Sequence, residues 1–154
     1  AFKNKYTDPL PPSWMTLEIT SFGALSMLYK NLKPGKEKRD IAHHFGLSDS
    51  VFETWVHSIV YLRNVCAHHT RLWNRAMSIR PQLPRNPHNQ WLSNASISNN
   101  RTYFILCMIS YLLQTVNPKN TFKTKVINLL EEYPNVDVRS MGFPQDWKNE
   151  QLWK

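Results

Sequence analysis

The chain has 154 residues, 42% of them hydrophobic, which is enough for one compact domain with a buried core and too few for two. Nineteen Lys and Arg residues against eleven Asp and Glu residues give a formal net charge of +8, which favours polyanionic partners such as nucleic acids. The longest apolar run, Tyr103 to Leu113, is far shorter than the roughly 20 residues of a membrane span, so no membrane partner is expected.

The two cysteines, Cys66 and Cys107, each lie in an apolar helical pattern. This pattern favours reduced thiols packed as small hydrophobic side chains over a disulfide. The sequence opens at Ala1 without a charged and then apolar leader. We therefore expect a cytoplasmic protein, with residues 1–154 forming a single domain that is a fragment of a longer protein.

The first part of the chain predicts three helices. After a proline-rich stretch (Pro9, Pro11, Pro12), Ser13 is predicted to cap a helix running to about Leu32. A short helix is expected from about Lys36 to Phe45, stopped by Gly46. Ser50 and Glu53 have the spacing of a capping box for a third, longer helix. Its predicted core stripe follows a 3-4-3-4 spacing and consists of Phe52, Trp55, Ile59, Leu62 and Cys66.

The second part predicts a loop followed by two helices. Residues 73–97 hold three prolines and three arginines and are predicted to form a long basic loop. A helix from about Ser98 to Val116 is apolar nearly all round, so it should lie in the middle of the bundle. Pro118 is expected to start a further helix that ends before Pro134, and Trp147 and Trp153 to dock the tail. The prediction is an all-α bundle of about five helices with a long basic, Pro-rich loop.

The third helix also carries a polar stripe. At 100° per residue, its members fall opposite the core stripe; they are His57, Tyr61, Asn64, His68 and Arg71. A solvated helix face normally favours Lys and Glu, so this composition indicates a functional surface. Histidine can exchange protons near neutral pH and arginine can clamp a phosphate, which are the groups that RNA cleavage without a metal needs.

The residues Arg63, Asn64 and His68 resemble the RNxxxH signature of HEPN-domain ribonucleases. The match continues through Ala67, His69, Arg71, Leu72, Trp73 and Asn74 into a pattern that resembles the Abi-like family (abortive infection, AbiD/AbiF type). Upstream residues also look like that family: Leu17, Glu18, Ser21, Phe22, Gly23, Ser26 and Tyr29. The resemblance covers most of residues 13–75 and is vague beyond them.

The resemblance implies a HEPN-like helical domain that acts as a metal-independent endoribonuclease, needs no cofactor and leaves a 2′,3′-cyclic phosphate. It also implies a homodimer with a composite active site, because one histidine does not readily serve as both acid and base. The expected setting is phage abortive infection or a toxin–antitoxin system, with RNA as substrate and an RNA or protein antitoxin as a further partner.

The predicted site has three groups of residues. Arg63, Asn64 and His68 are the expected catalytic residues, with Arg63 as phosphate clamp and Asn64 orienting the imidazole. His69, Arg71 and Tyr61 are expected to support them. Candidate RNA contacts lie in and beside the basic loop; they are Arg75, Arg80, Arg85 and Trp73, with Trp91 as a further residue to test.

Other interpretations use the same residues. A domain that binds RNA or a protein partner without cleaving it has the same motif, and His68 and Arg71 also suit a purely structural helix C-terminus. Residues 40–48 resemble the first helix and turn of a helix-turn-helix DNA-binding motif. A zinc site at Cys66, His68 and His69 is disfavoured, because these side chains diverge on one helix.

Overall fold

A computed structural model describes residues 10–93 and 96–154, so the predicted role of Pro9 lies outside the described residues. The described residues form six α-helices and three short 3₁₀ turns, and no strand occurs among them. The helices are α1 (Ser13–Ile19), α2 (Phe22–Asn31), α3 (Lys36–His44), α4 (Asp49–Ala67), α5 (Thr102–Val116) and α6 (Phe122–Glu132). The 3₁₀ turns are Val138–Met141, Trp147–Asn149 and Gln151–Trp153. The predicted all-α class is confirmed.

The first predicted helix is in fact two helices. Thr20 and Ser21 have extended backbones (ψ 138° and 149°), which separates α1 from α2. The Ser21 hydroxyl accepts a hydrogen bond from the backbone N–H of Ala24 at 3.2 Å, so a new helix is capped where the old one ends. Ser13 lies inside α1 and makes no cap hydrogen bond. The prediction of one helix capped by Ser13 was wrong.

The start of α4 also differs from the prediction. Ser48, not Ser50, is the N-cap residue, and its hydroxyl accepts from the N–H of Val51 at 3.4 Å. Glu53 does not close a capping box, because its carboxylate pairs with Lys38 of α3 at 2.8 Å. Gly46 makes the turn between α3 and α4 with φ +67°, a left-handed conformation that favours glycine.

The side of α4 that is buried changes between the start and the end of the helix. Near its start Phe52 stacks on Phe45 at 4.7 Å and meets Tyr29 of α2 edge-on, and Trp55 is fully buried. Further along, the buried residues are Ser58, Leu62 and Val65, and Cys66 is exposed. Cys66 was therefore wrongly placed on the core stripe. Cys66 lies in the last turn of α4, where the buried face has moved to Leu62 and Val65.

Helix α5 is the central helix, as predicted, although it begins at Thr102 rather than Ser98. Its side chains are almost fully buried at Tyr103, Phe104, Ile105, Cys107, Met108 and Tyr111. Burial raises the pKa of the Cys107 thiol to about 12, so this cysteine packs as a neutral side chain, as expected.

The remaining segments close over this core. Helix α6 begins at Phe122, four residues later than predicted from Pro118, and ends before Pro134 as predicted. The tail docks as predicted, with Trp147 and Trp153 buried against Tyr103. Among the described residues, the loop from α4 to α5 contains no α-helix, as predicted, and the backbone carbonyl of Gln82 anchors it by accepting from Trp55 Nε1 at 2.8 Å.

None of the described helices has the length and apolar character to cross a lipid bilayer.

Candidate active site at the end of the fourth helix

The last turn of α4 presents Arg63 and Asn64 to solvent, because their neighbours Leu62 and Val65 occupy the buried face. The Arg63 guanidinium donates a hydrogen bond from Nη1 to Asn64 Oδ1 at 3.2 Å. Arg63 thus bends away from the core side of the helix and joins the polar stripe. The amide of Asn64 thus orients an exposed guanidinium.

His68 is the C-cap residue of α4 and is also exposed. Its backbone N–H donates to the carbonyl of Asn64 at 3.0 Å, which ties the two residues through the main chain. In residues 10–93 and 96–154 the His68 imidazole has no hydrogen-bond partner. The expected contact between the Asn64 amide and this imidazole is therefore not made, and the amide oxygen accepts from Arg63 instead.

His69 terminates the helix in a left-handed conformation with φ 51°. Its N–H donates to the Cys66 carbonyl and the N–H of Thr70 donates to the Val65 carbonyl, both at 3.0 Å. This pair of bonds is a Schellman motif, in which glycine is the usual residue at the left-handed position. The backbone at His69 reverses the chain just after His68 and leads into the loop.

Tyr61 lies two residues before Arg63 and is hydrogen-bonded to the loop. Arg75 Nη2 donates to the Tyr61 hydroxyl at 3.3 Å, and Ser78 Oγ lies 3.4 Å from the same oxygen. The hydrogen bonds from Ser78 and Arg75 lower the pKa of Tyr61 from its usual value of 10.0. Arg75 is half-buried, and its Nε is buried without a hydrogen bond among the described residues. Arg75 thus holds the loop against α4 next to the motif.

Arg71 and Trp73 extend this surface beyond the helix. The Arg71 guanidinium lies over the Trp73 ring, 5.8 Å from its centroid. Trp73 Nε1 donates to the backbone carbonyl of Asp137 at 3.1 Å, and the ring remains 39% exposed. Asp137 was not among the residues considered from the sequence, and no local pattern signals a contact across 64 residues.

The other predicted RNA contacts are not gathered at the motif. Arg85 lines a cavity of about 500 Å³ beside Ser48 and Ser50, at the opposite end of α4. Ser50 and His68 are separated by about 27 Å along the helix. Arg80 is exposed on the loop, whereas Trp91 packs between Trp55 and Phe104 in the aromatic core.

The helix-turn-helix interpretation does not suit the start of α4. A recognition helix needs its first turns free to enter a DNA groove. Here Val51, Phe52 and Trp55 are all buried against the rest of the protein. No three His, Cys, Asp or Glu residues come together as a metal site within the described part of the chain.

Fold and site together define an all-helical protein with an exposed Arg, Asn and His cluster at the end of α4, the longest of its described helices. The family model described as Abi-like protein matches residues 1–74, a segment that contains the whole cluster. Over these residues the chain is similar to the Abi-like protein family. No curated protein and no solved structure matches the chain.

Proposed function

We propose that this protein is a HEPN-type, metal-independent endoribonuclease that acts in abortive infection of phage-infected cells or as the toxin of a toxin–antitoxin system. The observation that carries the proposal is the solvent-exposed cluster of Arg63, Asn64 and His68, with the guanidinium oriented by the amide. The match to the Abi-like family supports the biological setting.

The proposed reaction is attack of a ribose 2′-hydroxyl on the adjacent phosphate. His68 exchanges a proton with the 2′-hydroxyl or with the departing 5′ oxygen, since an imidazole can both accept and donate a proton. Arg63 stabilises the charge that develops on the phosphorane, and its planar guanidinium suits two phosphate oxygens. The bond that breaks is that between phosphorus and the 5′ oxygen, so one product ends in a 2′,3′-cyclic phosphate.

The reaction needs both an acid and a base, and each chain supplies one histidine at this motif. A two-fold homodimer that brings two α4 ends together would place two His68 and two Arg63 side chains in one cleft. Both side chains are exposed and can meet a second copy without unfolding of the core. An active ribonuclease harms its own cell, so an RNA or protein antitoxin that covers this cleft is part of the proposal.

The chemistry is tested by incubating the protein in EDTA with an RNA of mixed sequence, the DNA of the same sequence and the 2′-O-methyl RNA. We expect cleavage of the RNA alone, with cyclic phosphate at the new 3′ ends, because only RNA carries the attacking hydroxyl. Cleavage of all three substrates would contradict the mechanism. Binding of the RNA without cleavage would replace the nuclease by a non-catalytic RNA-binding domain.

A further inference from the structure

A largely apolar groove of about 510 Å³ lies between Trp73 and the end of α6. Leu129, Tyr133 and Val136 line it together with Trp73. These four side chains remain 38 to 55% exposed, although all are large and hydrophobic. Exposed apolar side chains that form a continuous patch mark a binding surface more often than single exposed ones. The volume is that of a small-ligand pocket.

The groove adjoins the Arg63, Asn64 and His68 motif. Trp73 follows His69 by four residues, so their Cα atoms lie within about 14 Å of each other. The hydrogen bond from Trp73 Nε1 to the Asp137 carbonyl fixes the indole as one wall, and Arg71 places a cation over its ring. A strand held at the motif can therefore reach the groove without a long span.

The charges around the groove suit a base better than a phosphate. Asp137 is one of the residues that line the groove, and hydrogen bonds from the Ser140 hydroxyl and the Arg139 N–H hold the pKa of its carboxyl below the usual value of 3.8. This negative charge repels a phosphate inside the groove and attracts the amino group of a base. Outside it, Arg71 on the loop and Lys125, one turn before Leu129 on α6, offer cations to the backbone phosphates.

The aromatic rings of the groove also favour a nucleobase as its ligand. Trp73 and Tyr133 both line the groove, and bases stack on aromatic side chains of this kind regardless of their sequence. We propose that the groove binds an unpaired nucleobase of the RNA strand whose phosphate is held at Arg63, Asn64 and His68. This inference rests on the proposed function, since it takes RNA as the substrate, and it adds α6 and the tail to the RNA surface.

The test uses a fluorescent 2′-O-methyl RNA and an abasic oligomer of the same length and backbone, so that neither is cleaved and both carry equal charge. Fluorescence anisotropy gives the ratio of the two dissociation constants. We expect wild-type protein to bind the base-containing oligomer about 5- to 150-fold more tightly. Tyr133→Leu, which keeps apolar bulk and removes the ring, should reduce this ratio about 5-fold or more.

The matched control is Trp14→Leu, which removes a 64% exposed aromatic side chain of α1 and should leave the ratio unchanged. Equal affinity for the two oligomers, binding of neither, or an unchanged ratio in Tyr133→Leu would overturn the proposal. If that variant instead lost a dimer in sedimentation while keeping the ratio, the occupant would be a second copy of the chain. Because the oligomers resist cleavage, base-dependent binding is measured separately from ribonuclease activity.

Discussion

At the scale of single residues, His69 determines how α4 ends. Its left-handed backbone, with φ 51°, reverses the chain directly after His68 and leaves that imidazole in solvent. A residue with a Cβ atom is disfavoured in this conformation by about 1–2 kcal/mol. Arg63 and Asn64, one turn earlier, are joined by their side chains and need no such strain.

Replacing His69 by glycine should therefore stabilise the protein. We expect His69→Gly to raise the free energy of unfolding by about 0.5 to 1 kcal/mol, because relief of the left-handed strain exceeds the added entropy of the unfolded chain. His69→Val should lower it, since a β-branched side chain suits this conformation least. Urea denaturation measures both variants. A loss of stability in His69→Gly would mean that the imidazole makes a stabilising contact in the folded protein.

At the scale of elements, α4 connects the core to the site. Its first turns pack on α2 and α3, its middle is buried through Trp55, and its last turn carries the exposed motif. The sequence predicted this division, because large apolar side chains and a polar stripe share one helix. The exact first residue was not predictable, since Ser48 and Ser50 are both good N-cap residues and the turn at Gly46 decides between them.

The N-cap of α4 is open to a direct comparison. Ser48→Ala should lower the free energy of unfolding by about 1 kcal/mol, because the Val51 N–H loses its acceptor. Ser50→Ala should cost less than half as much, since Ser50 is exposed and its hydroxyl meets only that of Ser48. Thermal or urea unfolding of the two variants measures both changes in the free energy of unfolding. An equal or larger effect at Ser50 would show that the helix begins two residues later.

At the scale of the whole molecule, the second half of the chain builds the surroundings of a motif that lies in the first half. Helix α5 and the docked tail were predictable from their apolar residues, and the tail tryptophans indeed pack on Tyr103. The groove at Trp73 was not predictable, because it depends on a contact with Asp137, 64 residues away. Arg75 and Arg85 looked equivalent in the basic loop, yet the fold places them at opposite ends of α4.

The proposed ribonuclease chemistry depends on His68, and the single-turnover cleavage rate of His68→Ala, measured beside that of His57→Ala, tests this dependence. Both histidines are exposed and lie on the same face of α4, but only His68 belongs to the motif. We expect His68→Ala to lose about 10² to 10⁴ in rate, with the free energy of unfolding changed by no more than about 0.5 kcal/mol. His57→Ala should cleave like the wild type. A wild-type rate in His68→Ala, or an equal loss in both variants, would contradict a catalytic role for His68.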